Sequence, residues 1–420
     1  MKRTLSSAAL VLALLAAAGA AAMAQRGGAS APSLSVNPLW PEPLPNHWVL
    51  GSVTGVSVDA RDHVWVTHRG ADSLEGGEKG MMLTPPTSSL CCTAAPFVLQ
   101  FDAEGKLVSN FGGPGQGYQW PQSPGSLVVD AKNNVWIAAA GLEPAPPASG
   151  RGRGGVDTTA AGVAVAVAAA RGATVAPTGP ADAHVLKFSS DGKFLLQIGT
   201  PGKMEGPDSQ TTLNRPAAVA VDTAANEVYV ADSGNHRIVV FNADTGAYKR
   251  HWGAYGEKPT AAGGGAYDPA APPARQFRDV TCVELAKDGM VYVCDRTSNR
   301  IQVFQKDGKF VKEGIISKNT RGTTVTGQFG VLSSHGSVWD IAFSNDAAQQ
   351  HIFVADGHDK KVLIVQRDTL AEVGSLGDGG RQAGRFLAVG SIATDSRDNL
   401  YTGEQHHGKR VQKFVPGARR

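Results

Sequence analysis

The stretch RPAAVAVDTAANEVYVADSGNHRIVVFNADTGAYKRHWG, residues 215–253, decides the fold. Short apolar runs alternate with polar turns, which reads as four antiparallel strands joined by tight connections. A second copy, VTCVELAKDGMVYVCDRTSNRIQVFQKDGKFVKEGII, occupies residues 280–316, and weaker copies flank the two. Such a unit cannot bury both its faces alone, and units of this size stack around an axis as the blades of a β-propeller. With strands named a to d from the axis outward, inner strands are expected to begin near Gly55, Ser126, Ala217, Val280, Val338 and Ser391, giving six blades. Hairpin dipeptides at Asp191-Gly192, Asp288-Gly289 and Asp307-Gly308 fall between apolar runs, as two-residue turns require. The last blade ends with a strand c at 410–414 and has no outer strand of its own. Residues 47–50 read as the strand that fills that place, closing an all-β, six-bladed propeller with its own N-terminal segment.

The chain has 420 residues and a formal net charge of +3, which gives no field for nucleic acid. It begins MKRTLSSAALVLALLAAAGAAAMAQ, a basic start, an Ala-rich apolar core and an Ala-Met-Ala cleavage pattern before Gln25. Residues 1–24 therefore read as a signal peptide, 25–45 as a flexible leader and 46–420 as the propeller. The protein is therefore expected to be exported, periplasmic or secreted, with no integral membrane segment once the signal is removed; a monomer is the expected state. Residues 142–182, rich in Ala, Gly, Pro and Val, interrupt blade two between strands b and c and read as a low-complexity insertion.

Export permits disulfides. Cys282 and Cys294 flank the turn at Asp288 at equal distances, so antiparallel pairing sets them opposite each other. A cross-strand disulfide is the favoured reading and two reduced core thiols the other. Cys91 and Cys92 are adjacent in a long loop and read either as a vicinal disulfide or as a free reactive pair. Neither a CxxC nor a CxxCH spacing occurs.

In this strand order the b–c and d–a loops share one face, here called the top. The long irregular segments 70–96, 112–125, 142–182 and 253–279 all fall there, and binding is expected on that face. An acid ending strand b and a base beginning strand c recur: Asp232 with Arg237, Asp295 with Arg300, Asp356 with Lys360 or Lys361, Glu404 with Lys409. Repetition in several blades marks these as charge-assisted loop closures rather than catalytic groups.

The segment VYVADSGNHRIVVF resembles the NHL-repeat propellers. Over most of the mature chain, GVSVDARDHVWVTHRG, the 215–253 unit, CDRTSNRIQVF and YTGEQHHGKRVQKF together resemble the peptidyl-α-hydroxyglycine α-amidating lyases and their bacterial relatives. The resemblance implies a six-bladed propeller that cleaves a C-terminal α-hydroxyglycine to a peptide amide and glyoxylate. It further implies an axial zinc held by three His at the starts of three inner strands, assisted by the Arg of an HRG motif and by a Tyr. His68-Arg69-Gly70 keeps the HRG motif, so Arg69 is the family-matched catalytic residue, and Arg69 and His68 are candidate binding residues. The three His positions fall on Gly125, Thr281 and Gly390, and the Tyr position falls near Ser233-Gly234. Gly and Thr supply no imidazole, thiolate or carboxylate to zinc. Substitute ligands would have to come from His335, His406 and His407 on the top loops. A lactonase-like site with axial calcium would need inward carboxylates, which the inner-strand starts Gly55, Gly125, Ala217, Thr281 and Gly390 lack. Backbone-held calcium would leave little trace in sequence. Two functions are consistent with these residues: a binding module for a peptide, small molecule or protein on the top face, or an amidating lyase or other metal-dependent enzyme with substitute ligands.

Overall fold

The computed structural model describes residues 31–141, 181–321, 325–327, 330–332 and 335–417. Six four-stranded antiparallel sheets form a β-propeller. Blade one is Val53–Val58, Val64–His68, Val98–Phe101 and Leu107–Phe111. Blade two is Pro124–Val129, Val135–Ala139, His184–Phe188 and Phe194–Gly199. Blade three is Pro216–Asp222, Glu227–Asp232, Arg237–Asn242 and Tyr248–Trp252. Blade four is Val280–Leu285, Val291–Asp295, Arg300–Phe304 and Phe310–Ile315. Blade five is Asp340–Phe343, His351–Asp356, Lys361–Gln366 and Glu372–Leu376. Blade six is Val389–Thr394, Leu400–Glu404 and Val411–Pro416, completed by Leu34–Asn37.

That last strand corrects the sequence reading of the closure. Leu34 pairs with Pro416 and Val36 with Phe414, while Trp48–Val49 instead runs parallel to Thr93–Ala94 in the long loop of blade one. Leu34 and Val36 alternate inward against Phe386 and Phe414, so the segment expected as a leader supplies the seal. Trp40, also in that segment, is buried between Phe101 of blade one and Tyr401 of blade six, with ring centroids 5.9 and 5.0 Å away. Asp62 of blade one also accepts the Ser396 N–H (2.9 Å) and hydroxyl (2.6 Å) of blade six, a second tie between the first and last blades.

The tight bottom turns have a repeated chemistry. At the end of strand a in blade one, Asp59 accepts the N–H groups of Arg61 and His63, and its other oxygen accepts the indole N–H of Trp65 at 3.0 Å. Asp130 does the same for Lys132, Asn134 and Trp136, and Asp395 for Arg397, Asn399 and the Tyr401 hydroxyl. One carboxylate thus satisfies a turn whose backbone would otherwise be orphaned and fixes an aromatic ring that is fully buried between blades.

Cys282 and Cys294 stand opposite each other in register and form a disulfide, with Cα atoms 4.9 Å apart. Cys91 and Cys92 are also joined. Among the described residues no helix is long and apolar enough to cross a membrane. The expected signal peptide lies outside the described residues, as does the insertion at 142–182 except for Ala181 and Asp182.

Candidate functional site

The top of the ring is organised by acceptors that fasten the residues just before strand a in five of the six blades. Asp232 takes the Asn214 N–H at 2.7 Å, Asp295 those of Arg278 and Asp279 at 2.9 Å, and Glu404 that of Leu387 at 2.6 Å. In blade two the acceptor comes from the start of strand c: Asp182 takes the N–H groups of Gln122 (3.0 Å) and Ser123 (2.8 Å). In blade one it is His68. Its Nδ1 accepts the N–H groups of Gly51 and Gly70 at 3.0 Å, and its Nε2 lies 2.9 Å from the Pro96 carbonyl, so Nε2 carries the proton. Burial pushes the His68 imidazole down to about 4, which keeps it neutral. Both ring nitrogens are committed to backbone, so His68 has neither a lone pair for a metal nor a donor for a ligand. Its place in the HRG motif is architectural.

Arg69 turns the other way, half-buried, and its charge is felt by the Asp182 carboxyl, which burial pushes up and the Ser123, Gln122 and Gly141 N–H groups and Arg69 hold down. The Asp182 carbonyl in turn accepts the N–H of Arg215 at 3.2 Å. Arg215 was not singled out by the sequence. It sits in the left-handed region at φ 49°, a strained conformation for a long side chain. Gly141, at φ 69°, leaves room for its stem: a Cβ there would lie 3.0 Å from the Arg215 Cγ. Arg215 continues the chain of charge to Asp279. Although burial raises Asp279, the Arg296 charge, the Ser233 hydroxyl and Arg215 hold it below the usual carboxylate range. Arg296 binds Asp279 through Nε (2.9 Å) and Nη2 (2.6 Å) and lies 4.9 Å over the Trp339 ring. Trp339 is met edge-on by His335 (5.9 Å) and His406 (6.2 Å), and these two imidazoles stack with centroids 6.3 Å apart. A belt Arg69, Asp182, Arg215, Asp279, Arg296, Trp339 and His335–His406 therefore spans the mouth from blade one to blade six.

The three proposed substitute ligands part company. His335 and His406 converge, whereas His407 turns to Glu75 in the long loop of blade one, 2.8 Å away. Lys409, expected to pair with Glu404, instead binds Glu78 in that loop, and Glu404 takes Arg410. Among the described residues no group of three or more His, Cys, Asp or Glu is placed to hold a metal. The positions matching the lyase zinc ligands do not fit one either. A Cβ at Gly125 would stand 2.8 Å from the Ala217 carbonyl oxygen, a Cβ at Gly390 would strike the Gln405 side chain, and the Thr281 hydroxyl donates to the Val338 carbonyl at 3.2 Å.

Two further features lie off this face. Glu284 and Asp340, on adjacent inner strands, are carboxyls that burial pushes up, Glu284 further so because of the Asp340 charge. At the bottom mouth a cavity of about 350 Å³ is lined by Val128, Val221, Leu285 and Ala286 with Asp222, Lys287 and Lys306.

The NHL repeat family matches residues 213–241, within blade three. The chain is a six-bladed β-propeller with one stretch that matches the NHL repeat, and its curated relatives are distant. It is 26% identical over 254 residues to mouse NHL repeat-containing protein 3, covering 57% of this chain and 60% of that one. It is 24% identical over 214 residues to mouse peptidyl-glycine alpha-amidating monooxygenase, covering 48% of this chain and 21% of that one. The chain thus spans less than two thirds of either relative. Among solved structures, a streptogramin B lyase covers 92% of this chain and 98% of its own at 11% identity and a TM-score of 0.44. A catalytically inactive virginiamycin B lyase from Staphylococcus aureus with quinupristin covers 91% of this chain and 88% of its own at 11% identity and a TM-score of 0.41. Overlaps of that depth support no functional argument.

Proposed function

We propose that this chain is an exported binding propeller that holds a peptide, a small ligand or a protein partner over its top mouth, with Arg69 and Arg215 contacting an acidic group. The observation that carries this reading is the belt itself: three arginines, Arg69, Arg215 and Arg296, surround the mouth where the lyases hold their metal, and Gly125, Thr281 and Gly390 at the matching ligand positions offer no imidazole, thiolate or carboxylate. Guanidinium groups fork onto carboxylates and phosphates, so an anionic ligand group is the natural guest. The paired cysteines accord with an oxidising compartment. The test is calorimetric titration of peptides with a free C-terminal carboxylate against the same peptides amidated. Arg69→Ala should weaken binding of the free acid by about tenfold, as expected for loss of a charge-assisted contact. Unchanged binding removes Arg69 from the site.

A second reading, an amidating lyase with substitute ligands, is favoured by the side-by-side imidazoles of His335 and His406. It predicts zinc in the protein purified without chelator or metal-affinity tag. It also predicts glyoxylate release from an α-hydroxyglycine peptide that stops on chelation.

A further inference from the structure

Three buried acids at the end of strand b share one arrangement. In each, one carboxylate oxygen takes loop N–H groups and the other takes a guanidinium. Asp232 Oδ2 accepts from Arg237 Nε at 2.8 Å, and the same guanidinium donates to the carbonyls of Pro207 (2.7 Å), Ser209 (2.6 Å) and Thr212 (3.0 Å). Asp295 Oδ2 accepts from Arg300 Nε at 2.9 Å, with the Ala274 and Gln276 carbonyls completing the set. Glu404 Oε1 accepts from Arg410 Nε.

Blade five breaks the arrangement. Asp356 occupies the same end of strand b and is as fully buried as Asp232, Asp295 and Glu404. Its Oδ1 accepts the Asp359 N–H at 2.9 Å, but its Oδ2 has no hydrogen-bond partner. It is the only carboxylate oxygen in that condition among the buried side-chain atoms of the described residues. Lys361 stands in the register that Arg237 and Arg300 hold, opposite the acid on strand c, yet makes no ion pair with it, contrary to the sequence reading. Lys360 runs against Gly379 instead. Burial, with the charges of Asp359 and Glu372, pushes the Asp356 carboxyl up to about 8 although the Asp359 and His358 N–H groups hold it down. A cation is therefore what this carboxylate lacks. The chain's own ammonium, already at the right place on the neighbouring strand, does not supply it. Each sister carboxylate holds a guanidinium, whose planar fork can serve a carboxylate and neighbouring carbonyls together where a compact ammonium cannot. Asp359, whose N–H caps Asp356, is itself exposed, so the orphan oxygen lies one hydrogen bond beneath the rim.

We propose that the top of blade five receives a guanidinium from outside the chain, the arginine side chain of a peptide or partner, which docks on Asp356 as Arg237 docks on Asp232. This site is separate from the anion-binding mouth and stands whether or not that reading does.

The test is titration of the full mature chain with N-acetyl-arginine amide, with N-acetyl-lysine amide as control, followed by calorimetry. The arginine probe should bind, and the lysine probe should bind about tenfold more weakly or not at all. Lys361→Arg places the chain's own guanidinium on Asp356 and should abolish probe binding while leaving the fold intact by circular dichroism. Asp356→Asn should also lose about tenfold in affinity, and if that variant does not fold, Lys361→Arg alone decides. Arg69→Ala should bind the arginine probe unchanged, so failure at the mouth cannot be mistaken for failure here. No binding by the wild-type chain, or equal binding by wild type and Lys361→Arg, overturns the proposal.

Discussion

Removing the guanidinium from a sister site is the sharpest test of how the top loops are held. Arg237 and Asp232 are both fully buried and 2.8 Å apart. Arg237→Met keeps the stem's apolar bulk and deletes the charge. The variant leaves Asp232 as an uncompensated buried carboxylate, a loss of about 3–5 kcal/mol. The carbonyls of Pro207, Ser209 and Thr212 lose their donor as well. Each such lost bond costs about 1 kcal/mol, so the three together carry the total above that range. Adding Asp232→Asn removes the buried charge but keeps an oxygen for the Asn214 N–H, so the double variant should recover more than half of the loss. Lys258, paired at 3.0 Å with Asp208 on the open surface, is the control. Lys258→Met should change stability by less than about 0.5 kcal/mol. The assay is urea unfolding with both disulfides intact, read by tryptophan fluorescence, with the denaturant slope checked for constancy. An Arg237→Met variant within about 1 kcal/mol of wild type would refute the claim that these pairs anchor the loops.

Other outcomes rest on the same structure. Asp356 is held at about 8 against about 3.9 in the unfolded chain, so the folded state binds the proton more tightly. Its stabilising contribution is complete below about pH 4 and is lost as pH rises toward 8. The stability of Asp356→Asn relative to wild type should therefore climb by about 1.4 kcal/mol per pH unit across that window, measured by urea unfolding at stepped pH. The Cys282–Cys294 disulfide, of sequence separation 12, should contribute about 3 kcal/mol, read as the difference between wild type and the double Ala variant. Val36→Asp places a charge against Phe386 and Phe414 and should destabilise by about 2 kcal/mol, whereas Val49→Asp, outside the last blade, should cost clearly less. The reverse order would return the closing role to the later segment.

The amino-acid sequence by itself determined the six blades, their strand order and the opposed pair Cys282–Cys294. All of these arise from local alternation and tight turns, which every residue within reach of one hairpin reinforces. It also marked the recurring acids at the ends of strands b. What it left undecided depends on groups distant along the chain. Residues 34–37 carry only two inward apolar side chains, too few for a period to show, and only the open edge beside Val411–Pro416 selects them over residues 47–50. His68 reads as a candidate ligand until Gly51, Gly70 and Pro96 close around its two nitrogens. Arg410 rather than Lys409 reaches Glu404 because the long loop of blade one brings Glu78 to Lys409. The convergence of His335 with His406 and the unpartnered oxygen of Asp356 were likewise decided by tertiary structure alone. A charged side chain chooses its partner by distance and burial across blades, and no one-dimensional spacing encodes either.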